Sequence, residues 1–70
     1  MEDKLKISLA AARVNADMTQ QDVADRLHVS KKTVVNWEKG RTLPSFTTIN
    51  ELSRIYRMPV CYIFLPKESN

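Results

Sequence analysis

Apolar residues fall along this 70-residue chain in short helical registers broken by polar corners. Leu5, Leu9, Ala12 and Ala16 recur at steps of three and four, which predicts a first helix over residues 3–16. Asp3 stands where an N-cap belongs, and Asn15-Ala16-Asp17 where the helix ends. Val23, Ala24 and Leu27 predict a second helix from Gln20 to Leu27. Thr19 is its N-cap, with Asp22 in the capping-box position. Val34 and Trp37 mark a third helix from Lys31 to Lys39, capped by Ser30. Gly40, the only glycine, sits where a left-handed C-cap belongs. Ser45 opens a fourth helix over 46–57, with Phe46, Ile49, Leu52, Ile55 and Tyr56 as its buried stripe. Pro59 fits the first turn of a short fifth helix, 59–64, whose Val60, Ile63 and Phe64 can close the core. The pattern reads as one all-α domain over 1–65, compact and five-helical, with a flexible polar tail over 66–70.

The third helix carries the chemistry. It opens with Lys31 and Lys32 and continues through Thr33 and Asn36, so its outer face is basic and rich in hydrogen-bonding groups. Lysine donates to guanine O6 and N7, and asparagine pairs with adenine N6 and N7, both in the major groove. Lys31, Lys32, Thr33 and Asn36 are therefore the candidate base-edge contacts. Val35 also points outward, where it either meets a thymine methyl or stands as an isolated surface apolar residue. Gln20 opens the second helix, where backbone amides point outward and favour phosphate, and Gln21 lies beside it. Arg13 lies on or near the buried stripe of the first helix, where a solvated arginine snorkels over the core.

The run from Thr19 to Ser45, TQQDVADRLHVSKKTVVNWEKGRTLPS, resembles the helix-turn-helix of the Cro/CI (Xre-type) phage repressor family. The likeness rests on Thr-Gln before the first of the two helices and Val-Ala inside it. Val29 in the turn, Ser30 at the cap, Val34, Trp37-Glu38-Lys39-Gly40 and Pro44 add to it, and it extends from Lys4 to Leu65. The resemblance implies a lambda-repressor-like fold binding double-stranded DNA. It implies a structural ion pair between Arg13 and Glu38, and Gln20 bracing Lys31. It also implies that the loop after the third helix lies along the phosphate backbone. Gln20, Gln21, Ser30, Lys39, Arg41 and Thr42 are the candidate phosphate contacts. His28 stands where most members place glycine, which predicts a residue at positive φ. Cys61 and Tyr62 fall where relatives carry polar residues. With Phe64 they form a candidate dimer face, since phage repressor domains often pair through the C-terminal helix.

Charge and composition narrow the function. Eleven Lys/Arg against eight Asp/Glu give a net charge of +3, compatible with nucleic acid. No apolar run is long enough for a membrane span, and the opening MEDKLK lacks the apolar core of a secretory signal. A single cysteine fits a reducing, cytoplasmic setting, here at the nucleoid. His28 has no ligand cluster at metal spacing, and no nucleophile–base constellation or phosphate-cradling glycine loop suggests an enzyme. No metal or cofactor is expected. The composite reading is a sequence-specific transcription regulator, a small phage or prophage Cro/CI-like repressor reading operator half-sites. The alternative on the same fold is a protein-binding modulator, an antirepressor or antitoxin whose partner is a repressor or a toxin.

Overall fold

The computed structural model describes residues 6–64. The chain runs as β1 (Ile7–Ser8), α1 (Leu9–Asn15), α2 (Gln20–Leu27), α3 (Lys31–Lys39), α4 (Phe46–Tyr56), a 3-10 turn (Val60–Tyr62) and β2 (Ile63–Phe64). Four α-helices stand where five were expected, and both ends differ from the helical reading. Asp3, Leu5 and the 66–70 tail lie outside the described residues. The first helix begins at Leu9 because Ser8 caps it: the Ser8 hydroxyl accepts the Ala11 amide at 3.0 Å. Ile7 and Ser8 are extended and pair in parallel with Ile63 and Phe64. β-branched Ile7 and Ile63 suit that pairing better than a helix end. Pro59, at φ −57 and ψ 143, is extended rather than helical, and one tight turn brings the chain to β2.

The core is a single cluster of Leu9, Ala12, Val23, Ala24, Val34, Trp37, Leu52, Tyr56 and Ile63. Each of the four helices adds its inner face, and β2 adds Ile63. Two residues expected inside are outside. Phe46 is 77% exposed, because it is the first helical residue beyond the Ser45 cap, at the end of α4 farthest from Tyr56. Val60 is exposed as well, on the 3-10 turn. The α4 stripe is carried by Leu52 and Tyr56, with Ile49 and Ile55 half-buried.

The helix starts follow side-chain chemistry. Thr19, Ser30 and Ser45 each accept the amide three residues on, at 2.9, 3.1 and 3.2 Å. At α2 the box is reciprocal, because the Thr19 amide donates to Asp22 at 2.9 Å. Those bonds from Thr19 hold the Asp22 carboxyl below the usual carboxylate range.

The helix ends share one device. After α1, α2, α3 and α4 the chain turns through Asp17, His28, Gly40 and Arg57, all at positive φ. The next amide then reaches back five residues: Met18 to Arg13, Val29 to Ala24, Arg41 to Asn36 and Met58 to Ser53, at 2.9–3.2 Å. These are Schellman caps, and only one of the four uses glycine. A left-handed L-residue costs roughly 1–2 kcal/mol. Glycine would remove that cost but add about 0.5–1 kcal/mol of unfolded-state freedom. His28→Gly, at an exposed side chain, should therefore stabilise the domain by about 0.5–1 kcal/mol, raising Tm by about 2–8 °C in a thermal melt. An unchanged or lower Tm would show that the His28 side chain contributes contacts of its own.

Candidate nucleic-acid interface

α2 and α3 meet at the corner built by His28 and Ser30. His28, at φ 60 and ψ 42, reverses the chain, and half-buried Val29 anchors the bend against the core. Ser30 then starts α3. Buried Val34 and Trp37 fix the rotation of α3 about its axis, pressing one face inward. That rotation decides what the outer face presents: Lys31, Lys32 and Lys39 are exposed and Asn36 is half-exposed. Thr33 sits to one side, its hydroxyl 2.9 Å from the Ser30 hydroxyl and its amide bound to the same atom. Beyond α3, Gly40 turns the chain, and the Arg41 amide bonds the Asn36 carbonyl at 2.9 Å. The Arg41 guanidinium lies 3.5 Å from Asn36 Oδ1, and Arg41 and Thr42 are both exposed. The fold thus gathers the base-edge candidates Lys31, Lys32 and Asn36 on one surface with Lys39 and Arg41.

At the start of α2, among the described residues, the Gln20 and Gln21 amides have no intramolecular acceptor. They are orphan donors at the positive end of a helix dipole. The Gln21 side chain donates to Asp25 one turn on, at 2.9 Å. Gln20 was expected to brace Lys31. Its amide nitrogen donates to Glu38 Oε1 at 2.9 Å, a charge-assisted bond, and no Gln20–Lys31 bond is present among the described residues.

Glu38 is the hub beneath the outer face. Arg13 Nε donates to Glu38 Oε2 at 2.8 Å, and Arg13 Nη2 to Oε1 at 3.3 Å. Arg13 Nη1 donates to the Met18 carbonyl at 3.0 Å. Both side chains are largely withdrawn from water, 15% and 7% exposed. The bond to Glu38 holds the Arg13 guanidinium more firmly protonated than usual. Tyr56 of α4 lies close enough to feel both charges. Burial first, and then the Glu38 charge, push its pKa up to about 12, against a smaller opposing effect of Arg13. Neither the Met18 carbonyl nor Tyr56 was foreseeable from spacing, because each reaches the pair only through tertiary packing. Cys61 and Tyr62 are exposed on the 3-10 turn, not on a C-terminal helix, and the Phe64 side chain lies outside the described residues.

A helix-turn-helix family description matches residues 9–63, spanning the corner, the ion pair and the α4 stripe together. The chain belongs to this helix-turn-helix family of transcription regulators. It is 33% identical over 58 residues to the cryptic phage CTXphi transcriptional repressor RstR of Vibrio cholerae. That match covers 83% of this chain and 52% of the repressor, so the chain spans about half the length of that relative. It is 32% identical over 53 residues to an uncharacterised helix-turn-helix-type transcriptional regulator of Archaeoglobus fulgidus, covering 76% of this chain and 75% of that protein. No solved structure matches significantly. Among the described residues, no group of three or more His, Cys, Asp or Glu is placed to hold a metal ion. No described helix is long and apolar enough to cross a membrane.

Two outcomes follow from the Glu38 hub. Glu38→Ala leaves the Arg13 charge and the Gln20 amide without their acceptor, and should cost about 2–4 kcal/mol in urea unfolding. A loss under 1 kcal/mol would place the pair in the class of exposed bridges. Tyr56 retains its proton more tightly when folded than when unfolded, so the folded state holds the extra proton between pH 10 and about 12. Stability should be intact below pH 10 and fall by roughly 2–3 kcal/mol up to pH 12. Tyr56→Phe should lack that part of the alkaline fall, as read from urea midpoints of the two proteins at pH 9 and pH 11.5.

Proposed function

We propose that this helix-turn-helix protein is a sequence-specific repressor of phage or prophage type that reads operator half-sites in the major groove. The observation that supports this best is the rotation of α3. Val34 and Trp37 are buried, and the opposite face holds Lys31, Lys32 and Asn36 with no intramolecular ion pair described for the lysines. In this mechanism Lys31 and Lys32 donate to guanine, Asn36 pairs with adenine, and Thr33 contacts the edge of the same site. The Gln20 and Gln21 end of α2, together with Ser30, Lys39, Arg41 and Thr42, holds the phosphates and sets the register. No bond is made or broken. Occupancy of the operator excludes the polymerase, in the cytoplasm and at the nucleoid.

Two copies would read half-sites ~34 Å apart. The exposed turn carrying Val60, Cys61 and Tyr62 supplies apolar surface for pairing two copies, and Phe64 follows it in the chain. That same exposed surface is what favours the second reading, a modulator that binds a repressor or a toxin through this turn.

Selection of bound fragments from a random DNA library at near-physiological salt separates the two. An inverted repeat with fixed spacing is expected. Lys32→Ala should then relax base choice at one position by ~1–3 kcal/mol, whereas Arg41→Ala should weaken all sequences alike. Retention of fragments with no enriched motif would overturn direct readout and leave the protein-binding reading standing.

A further inference from the structure

One residue on the reading face is not accounted for by lysine and asparagine chemistry. In α3, positions 31, 35 and 39 lie on successive turns along one line, and 32 and 36 lie on the adjacent line. The line formed by Lys31, Val35 and Lys39 therefore puts Val35 in the middle of the cationic face. Of the three apolar residues in α3, Val34 and Trp37 are buried in the core, and Val35 alone stands outside the buried set. It is half-exposed, and it belongs neither to the core cluster nor to the partly buried residues packed against it.

A valine there has a cost. Its branched side chain is stiff in a helix, and at an unpacked position it is a poorer helix former than alanine or a long polar residue. The cationic face around it would be better served by lysine or glutamine if phosphate contact were its purpose. What an apolar group at the centre of a major-groove face can meet is limited. Base edges there present donors, acceptors and one apolar group, the C5-methyl of thymine.

We propose that Val35 is a specificity-determining residue that packs on the C5-methyl of one thymine in each half-site, beside the base read by Asn36. The inference rests on the DNA-reading function proposed above and adds a base identity to it. Recognition of this kind has no polar partner to lose. It acts by removing the methyl and the valine from water, so it is insensitive to salt, unlike the lysine contacts around it.

The test uses the purified full chain and the operator selected from the DNA library. Each thymine is replaced in turn by uracil, which keeps the base pair and removes only the methyl. At one thymine per half-site the wild-type protein should bind about three- to fivefold more weakly, the loss of about one buried methyl. Val35→Ala, which favours the helix, should bind thymine and uracil equally at that position and keep its response to every other base pair. A cytosine there should bind worse than 5-methylcytosine, which shows that the methyl, and not the rest of the thymine ring, is the group recognised. If wild-type binding ignores uracil everywhere while the operator motif stands, the inference fails and Val35 is a surface residue. If Val35→Ala retains the full uracil effect, another side chain reads the methyl and the inference fails likewise. Absence of any enriched operator would instead overturn the DNA-reading function itself.

Discussion

The Glu38 carboxylate joins three helices by directional bonds, on top of the apolar core that they share. It accepts Arg13 from α1 through two nitrogens and Gln20 from α2 through a third, and it is itself one residue from the end of α3. Arg13 extends the network to the Met18 carbonyl in the link between α1 and α2. A core of nine residues with small members such as Ala12 and Ala24 packs closely but fixes angles weakly. Directional bonds at 2.8–3.3 Å add the orientation that apolar contact alone does not set. The bridge lies directly under the cationic face. The arrangement of Lys31, Lys32 and Asn36 therefore depends on a pair that is itself largely withdrawn from water.

Most of the site's frame was legible because it is local. Thr19-x-x-Asp22, Ser30 before a lysine pair, Gly40 after Lys39 and Ser45 before α4 are chemical statements made within four residues, and each helix boundary they mark agrees with the structure. The positive φ at His28 was legible too, since the turn requires it whatever the side chain. The ends were not legible. Leu5, Leu9, Ala12 and Ala16 keep helical spacing straight through a serine cap, and periodicity cannot see a partner strand 56 residues away. Phe46 shows the other limit. It is in register with Ile49, yet the first residue of a helix projects past the core that the next turn covers. The Gln20 bond to Glu38 escaped notice for a third reason, since it joins the start of α2 to the end of α3 and only the three-dimensional distances reveal it.

The helix caps carry a related lesson. Three of the four left-handed positions are held by Asp17, His28 and Arg57 rather than glycine; Asp and His enter that region more readily than most residues, whereas Arg does not. Each of the four turns is instead closed by a backbone bond to the residue five positions back, and three of them are followed by an apolar residue, Met18, Val29 or Met58, that packs against the core. The geometry is thus imposed by packing, and the local residue complies at some cost. Such positions are candidates for stabilisation without touching the reading face.

The pairing of Ile7–Ser8 with Ile63–Phe64 has a consequence for how the chain assembles. The α2–α3 pair forms through a short loop, whereas α1 packs on α3, on α4 and on β2 from progressively farther along the chain. The clasp closes nearly the whole described chain on itself, and the entropy of that closure grows with the logarithm of its length. The two residue pairs and the burial of Ile63 offset that cost only once α1 is in place, so the clasp belongs at the end of folding and at the start of unfolding. Its opening frees the two outer segments of the domain while the corner between α2 and α3 remains assembled.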